Sequence, residues 1–318
     1  MYISFVVPIF NEEGNLEKLH QQILLVANQL AKNNKKAQDF EIIFVDDGSR
    51  DQSSQIMKKL KPLKVITLRR NSGQTAALDA GFKAANGDYV VSLDGDLQND
   101  PASIPEMIEY LEKNDLDVVC GWRKNRKDSF SKKFISGGAK WLRSFLIKDQ
   151  VHDSGCTLRV YKKDCFKGLS LRGELHRFIP ALLVWRGFRV GEIPVKHHPR
   201  YSGKSKYSFT RTVKGFMDML TLWFFHKFAS RPLHILGALG MGSFGIGLLI
   251  SIWMLVEKFI LQHGISQRMW PLVAIFMMLF GVQIFVSGLI MDLIIRSYNP
   301  QFYEIKEERE NRARNSKK

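Results

Sequence analysis

Cysteine is scarce in this chain: Cys120, Cys156 and Cys165 are the only three in 318 residues, with no CxxC or Cys/His ligand spacing. An odd, unspaced set excludes a disulfide framework and a zinc site, and predicts a reduced, cytoplasm-facing domain. The opening "MYISFVVPIFNEE" lacks a basic n-region, a long apolar run and a small-residue cleavage site, so it reads as a strand rather than a signal peptide. Acidic side chains are the minority charge, 31 against 47 Lys and Arg, for a formal net charge of +16. That balance points to a polyanionic partner, which leaves nucleic acid, an anionic membrane surface and phosphorylated substrates as the classes to separate.

What the chain does have is alternation. Up to about Asp153, short apolar runs ("YISFVVPIF", "EIIFVDDGS", "KVITLRR", "DYVVSLDGD", "DVVCGW") alternate with longer helical patterns. This predicts an α/β domain of βαβ units around a parallel sheet. Polar chemistry sits at the C-terminal ends of the strands: Asn11 and Glu12 after the first, Asp46 and Asp47 after the second, Asp94 and Asp96 after the fourth. In open α/β sheets that edge binds ligands.

Two apolar stretches follow, "LHILGALGMGSFGIGLLISIWMLV" from Leu233 and "WPLVAIFMMLFGVQIFVSGLIMDLII" from Trp270. Each reaches the roughly 20 residues that cross a bilayer, and neither carries the polar stripe that a soluble helix of this length needs. Lys227, Arg231, Arg296 and the tail "KEERENRARNSKK" outweigh Lys258 and Arg268 of the connecting loop. The positive-inside rule then puts both termini and the α/β domain on the cytoplasmic side. Gly237, Gly240, Gly242 and Gly245 suit close helix contact, including contact between protomers of a homo-oligomer. Trp122 to Lys148 interleaves basic and aromatic residues, and Phe209, Val213, Phe216, Met217 and Leu220 recur at helical spacing before the first span. Both segments read as amphipathic helices at an anionic membrane surface; a solvated basic helix and an ordinary core helix are their plainer alternatives. The expected layout is a domain over 1–207, a juxtamembrane helix over 208–231, spans over 232–256 and 270–295 around a 257–269 loop, and a tail over 296–318.

Asp94 and Asp96, two apart in extended chain, project to the same side with only Gly95 between them. Converging carboxylates repel unless a cation separates them, and hard oxygen ligands suit Mg²⁺ or Mn²⁺, with Gln98 a further oxygen donor downstream. In "VDDGSRD", Gly48 permits a tight turn and Ser49 or Asp51 can cap a helix. A plain βα turn accounts for those three residues but not for Asp46 and Asp47 in a row.

The runs "VVPIFNEE", "VDDGSRDQS", "RNSGQTAALDAGFKAANGDYV", "LDGDLQNDP", "GWR" and "RYSGKSKY", with the two-helix tail, resemble the family 2 glycosyltransferases of the nucleotide-sugar-binding GT-A fold, which is Rossmann-like. Within that family the chain looks most like the polyprenyl-phosphate glycosyltransferases related to dolichol-phosphate mannose synthase, in their bacterial membrane-anchored subgroup. The resemblance covers essentially the whole chain and implies an integral protein of the bacterial inner membrane. It implies that Pro8, Asn11, Glu12, Asp46 and Asp47 line the nucleotide pocket, with Asp47 facing the base. By the same resemblance Asp94 lies by the ribose and diphosphate, and Asp96 with Gln98 holds the metal. Arg123, Arg200, Ser205 and Lys206 are suited to an acceptor phosphate, a basic loop at lipid headgroups being the alternative for the last three. His197 and His198 read as loop residues rather than ligands. Asp153 falls near an acidic active-site position of the family and is a catalytic candidate, although capping or pairing with Arg159 explains it equally well.

A hydroxyl acceptor needs a base to take its proton, whereas a lipid phosphate is already ionised. The chain lacks the Gln-x-x-Arg-Trp signature of processive family 2 synthases and an "ED" base motif after Asp96, and has a cluster of cations instead. The expected reaction is inverting transfer from a nucleotide sugar to polyprenyl phosphate, with UDP-glucose and undecaprenyl phosphate favoured over GDP-mannose or an amino-arabinose donor. A hydroxyl-directed glycan synthase and a non-catalytic nucleotide-binding scaffold are the competing classes. A nucleic-acid partner is not expected beside this carboxylate cluster.

Overall fold

The computed structural model describes residues 1–33, 39–124, 151–171, 173–198, 232–260 and 269–298, with seven helical positions between 217 and 227. The chain forms two units, Met1–Leu220 and Thr221–Lys318. In the first, all five expected strands are present: β1 (Tyr2–Ile9), β2 (Asp39–Asp46), β3 (Lys64–Thr67), β4 (Tyr89–Ser92) and β5 (Val118–Trp122). Helices α1 (Leu16–Asn33), α2 (Ser53–Met57), α3 (Gln74–Ala84) and α4 (Ile104–Lys113) connect them. Two strands beyond the expected five, β6 (Arg159–Lys162) and β7 (Val190–Pro194), flank α5 (Ile179–Trp185) and complete a seven-stranded sheet of order β3-β2-β1-β4-β6-β5-β7.

The sheet is mixed rather than wholly parallel, because β6 runs antiparallel to both β4 and β5. At four residues, "RVYK" is too short and too rich in long cations for period-2 patterning to mark it as a strand.

Alternation along β1 divides the core in two. Ile3, Phe5, Val7 and Ile9 face Leu16, Leu19 and Ile23 of α1 and Met107 and Leu111 of α4. Val6 faces the other way, toward Ala77, Leu78 and Phe82 of α3 and Ile179 and Leu183 of α5. Strands covered on both faces must be apolar at nearly every position, which is why these runs were conspicuous. Both β2 and β4 pair in parallel with β1. Strand order reverses at β1, so the crevice beyond the C-terminal ends of β1 and β4 is the topological switch point at which such sheets bind ligands.

The second unit holds α6 (Pro232–Phe259) and α7 (Trp270–Tyr298). Both are long and apolar enough to cross a membrane, with mean hydropathy of 2.0 and 2.4 over their best windows. They pack backbone to backbone: a Cβ on Gly240 would lie 2.6 Å from the Gly281 carbonyl oxygen, and one on Gly281 would lie 2.5 Å from that of Gly240. Of the four glycines expected to make close contact, Gly240 does so within this hairpin and Gly237 lies beside Phe285, while a Cβ on Gly242 or Gly245 would meet nothing within 4 Å among the described residues. The Ser243 hydroxyl adds a hydrogen bond of 2.9 Å to the Met277 carbonyl across the pair. Residues 125–150 of the expected basic helix lie outside the described residues, as does most of the 208–231 segment, whose described positions are helical.

Candidate active site

The Asp94–Asp96 turn leaves β4 and packs on the end of β1. A Cβ on Gly95 would lie 2.8 Å from Ile9 Cδ1 and 3.4 Å from the Pro8 carbonyl oxygen, so a larger residue would have to turn the Ile9 side chain aside. Leu97 sits at φ 61, a left-handed conformation that costs about 1–3 kcal/mol and is held by the packing around it. Asp96 is buried and its Oδ1 accepts the Gln98 N–H at 3.2 Å. Asp94 keeps a solvent-facing edge, and its Oδ1 accepts from Gln74 Nε2 at 2.7 Å. Burial, and then the charge of Asp96, push the Asp94 carboxyl up to about 6, against the opposing pull of the Thr157 hydroxyl, Arg123 and Arg159.

Among the described residues no three His, Cys, Asp or Glu side chains gather around one point. Asp94, Asp96 and the Gln98 amide offer a smaller, all-oxygen set. It fits a hard divalent cation that keeps waters or takes substrate oxygens for its remaining positions, and the mutual repulsion of the two carboxylates is what such a cation relieves.

Burial of Asp94, together with that repulsion, carries a stability signature. The native Asp94 pKa lies above the unfolded value of 3.8, so the folded protein holds this proton more tightly and its stability falls as pH rises from about 4 to about 6. Asp94→Asn is therefore expected to stabilise the metal-free protein by about 2 kcal/mol near pH 7.5, with the gap closing toward pH 4. Thermal melts of both proteins in chelator at the two pH values check this.

On the other side of the crevice the expected nucleotide residues hold one another. Asp46 Oδ1 accepts the Ser49 N–H at 2.8 Å and its Oδ2 accepts from the Ser54 hydroxyl. Asp47 is buried, and its two oxygens accept from the Ser72 and Gly73 N–H groups at 2.6 and 2.9 Å. Asn11 Oδ1 accepts the Arg50 N–H at 2.8 Å, and Glu12 accepts from Asn15 Nδ2 at 2.6 Å. Two successive carboxylates thus have a turn-building reason after all: Asp46 ties the β2–α2 turn, while Asp47 pins the loop before α3. Gly48, at φ 71, allows the bend between them. Beside them a cavity of about 380 Å³ is lined by residues including Phe10, Gly48, Arg50, Arg69 and Arg70.

Arg123, at the end of β5, forms a two-point ion pair with Asp153: Nε to Oδ2 at 2.6 Å and Nη2 to Oδ1 at 2.8 Å. Asp153 therefore pairs with Arg123 and not with Arg159, which instead bonds the carbonyls of Ser154 and His176. The corner is braced by His152, which stacks on Trp122 at 4.9 Å and bonds Glu192. Downstream, Asn99 and His197 form an antiparallel bridge, the His198 N–H donates to the Gln98 carbonyl at 2.9 Å, and His198 Nε2 lies 3.3 Å from Asp100 Oδ2. The two histidines are loop residues tied to the turn that follows Asp94 and Asp96. Arg200, Ser205 and Lys206 lie outside the described residues.

Gln74, Thr157 and His176 were not foreseen, and Arg159 entered only as a possible partner of Asp153. Gln74 could have been, since it follows β3 at the ligand edge and opens a helix; the other three sit in runs with no periodic signal.

The chain was compared with known proteins. Residues 4–169 match the family described as "Glycosyl transferase family 2". Over 304 residues the chain is 39% identical to the dodecaprenyl-phosphate galacturonate synthase of Rhizobium johnstonii, covering 93% of this chain and 88% of that one. It is 33% identical over 306 residues to the undecaprenyl-phosphate 4-deoxy-4-formamido-L-arabinose transferase of Proteus mirabilis, covering 93% and 89%. Among solved structures, glucosyl-3-phosphoglycerate synthase from Mycobacterium tuberculosis, in complex with Mn²⁺, UDP and glucosyl-3-phosphoglycerate, superposes with a TM-score of 0.52 at 17% identity. That match covers 70% of this chain and 79% of the other, and bears on the fold alone.

Proposed function

The chain belongs to the family 2 glycosyltransferases, and on that premise we propose that it transfers a sugar from a nucleotide donor to a polyprenyl phosphate at the cytoplasmic face of a membrane. The observation that carries this reading is the Asp94–Asp96 pair at the switch point of a sheet whose chain also bears two bilayer-length apolar helices. The two relatives, whose names both specify a polyprenyl phosphate, support the acceptor.

In this reading Asp94, Asp96 and Gln98 hold Mg²⁺ or Mn²⁺, which when bound offsets charge on the diphosphate. The cavity beside Phe10 and Arg70 takes the base, its walls set by the bonds of Asp46 and Asp47, while Pro8, Asn11 and Glu12 serve the rest of the nucleotide. Arg123, Arg200, Ser205 and Lys206 meet the acceptor phosphate. One of its oxygens forms a bond to the anomeric carbon as the bond from that carbon to the diphosphate breaks, the electron pair leaving with the diphosphate. Attack from the opposite face gives a β-linked product from an α-linked donor. The attacking oxygen is already ionised, so no base is needed, and Asp153 serves to orient Arg123 rather than to accept a proton.

UDP-glucose was the donor favoured from the sequence, yet the sugars in the relatives' names share a different shape. L-Arabinopyranose is galactopyranose without C6, so galacturonate and 4-deoxy-4-formamido-L-arabinose both carry an axial C4 substituent and no hydroxymethyl group. We therefore place a galacto-configured donor of that kind ahead of glucose and mannose. The test is to incubate the detergent-purified full chain with undecaprenyl phosphate, Mg²⁺ or Mn²⁺ and labelled nucleotide sugars carrying galacturonate, formamido-arabinose, glucose or mannose. Label is expected in the lipid phase with one of the first two. Label only from glucose or mannose overturns the sugar assignment, and none from any donor overturns the function.

A further inference from the structure

Arg159, the first residue of β6, is 2% exposed. A buried guanidinium ordinarily has a carboxylate beside it, because an unpaired charge in the interior is costly. Here, among the described residues, its direct partners are neutral. Nη2 donates to the Ser154 carbonyl at 2.7 Å and Nη1 to the His176 carbonyl at 2.9 Å, with the Tyr161 hydroxyl also close. Each carbonyl leads to a different part of the site. Ser154 follows Asp153, which grips Arg123. His176 is buried, and its Nδ1 lies 2.8 Å from the Thr75 hydroxyl. Thr75 follows Gln74, whose amide holds Asp94.

We propose that Arg159 is a positioning residue of this site, a buried cation to which both the Asp153–Arg123 pair and the Gln74–Asp94 contact are tied. The inference rests on the transferase reading for what the two pairs do, but not for the tie itself. Such a tie makes the metal side and the acceptor side of the crevice keep one relative geometry, because moving either carbonyl leaves the guanidinium short of a partner in a place water does not reach. A planar, forked donor suits two carbonyls at once, which a lysine ammonium on a flexible stem does not reproduce.

Arg159→Gln is the informative variant. It removes the charge without stranding a partner carboxylate, and it can still donate to one carbonyl, so folding is expected to survive; far-UV circular dichroism and a thermal melt establish that. Thr75→Val breaks only the His176 arm and changes no charge. Supporting groups of this kind set activity or metal affinity by about 10- to 100-fold. Both variants are accordingly expected to bind Mn²⁺ about tenfold more weakly than the unaltered protein, and the double variant no more weakly than Arg159→Gln alone. Loss of charge by itself predicts the opposite sign for Arg159→Gln, since removing one cation near Asp94 favours another. In lipid-phase transfer assays Arg159→Gln is expected to lower kcat and raise the KM for undecaprenyl phosphate together. Unchanged or tighter Mn²⁺ binding by Arg159→Gln, or strictly additive effects of the two changes, overturns the inference. Failure of the unaltered protein to transfer any sugar counts against the proposed function instead, and the Mn²⁺ titration then decides the inference without it.

Discussion

Asp96→Ala is expected to reduce sugar transfer by about a hundred- to a thousandfold while leaving the protein folded. Asp96 is buried at the turn beside Asp94, where its charge helps to push the Asp94 carboxyl up. Deleting it removes a repulsion, so the metal-free protein is expected to melt no lower than the unaltered one. What disappears is half of the carboxylate pair that would anchor the cation opposite the departing diphosphate, and removing a charge-stabilising group of that kind costs about 3–4 kcal/mol in the transition state. The measurement is labelled lipid formed per minute at saturating donor, alongside a thermal melt. Retention of a tenth of the activity would falsify the metal assignment.

Arg123→Met is expected to have the largest effect on stability. The Arg123 and Asp153 side chains are 12% and 17% exposed, and two bonds join them. Removing the arginine leaves a largely buried carboxylate without its cation, still accepting from the Gly155 and residue-123 backbone N–H groups, at a cost of about 3 kcal/mol. Replacing both residues, Arg123→Met with Asp153→Leu, removes the stranded charge and is expected to recover most of that loss in urea unfolding. Transfer is expected to stay absent in the double variant, because the guanidinium proposed to meet the acceptor phosphate is gone. Recovered transfer together with recovered stability would reduce Arg123 to a structural role.

These two variants separate what was legible in the sequence from what was not. The strands β1 to β5 were legible because burial on both faces forces unbroken apolar runs, and Asp94 and Asp96 were legible because they end such a run with charge. The tie between Arg123 and Asp153 was not, since 29 residues separate them in the chain and no local period links them. The turn-building bonds of Asp46 and Asp47 were not legible either, because a carboxylate facing a ligand and one accepting backbone N–H groups have the same sequence. Arg159 was hidden for the opposite reason. A lone arginine at the start of a short strand resembles a solvated edge residue, and its burial involves Ser154 and His176, whose carbonyls lie on either side of it in the chain.

The reversed direction of β6 has a consequence for how such a protein can diversify. β5 delivers the chain to the ligand edge at Trp122, and β6, running the other way, starts from that same edge at Arg159. The excursion between them therefore leaves and rejoins the sheet on one side, without a crossover to constrain its length. Length can vary between Lys124 and Val151 with no strand losing its register, provided that Arg123, Asp153 and Ser154 stay in place. One antiparallel strand thus gives a mostly parallel scaffold a connection whose length is free while β5 and β6 stay paired.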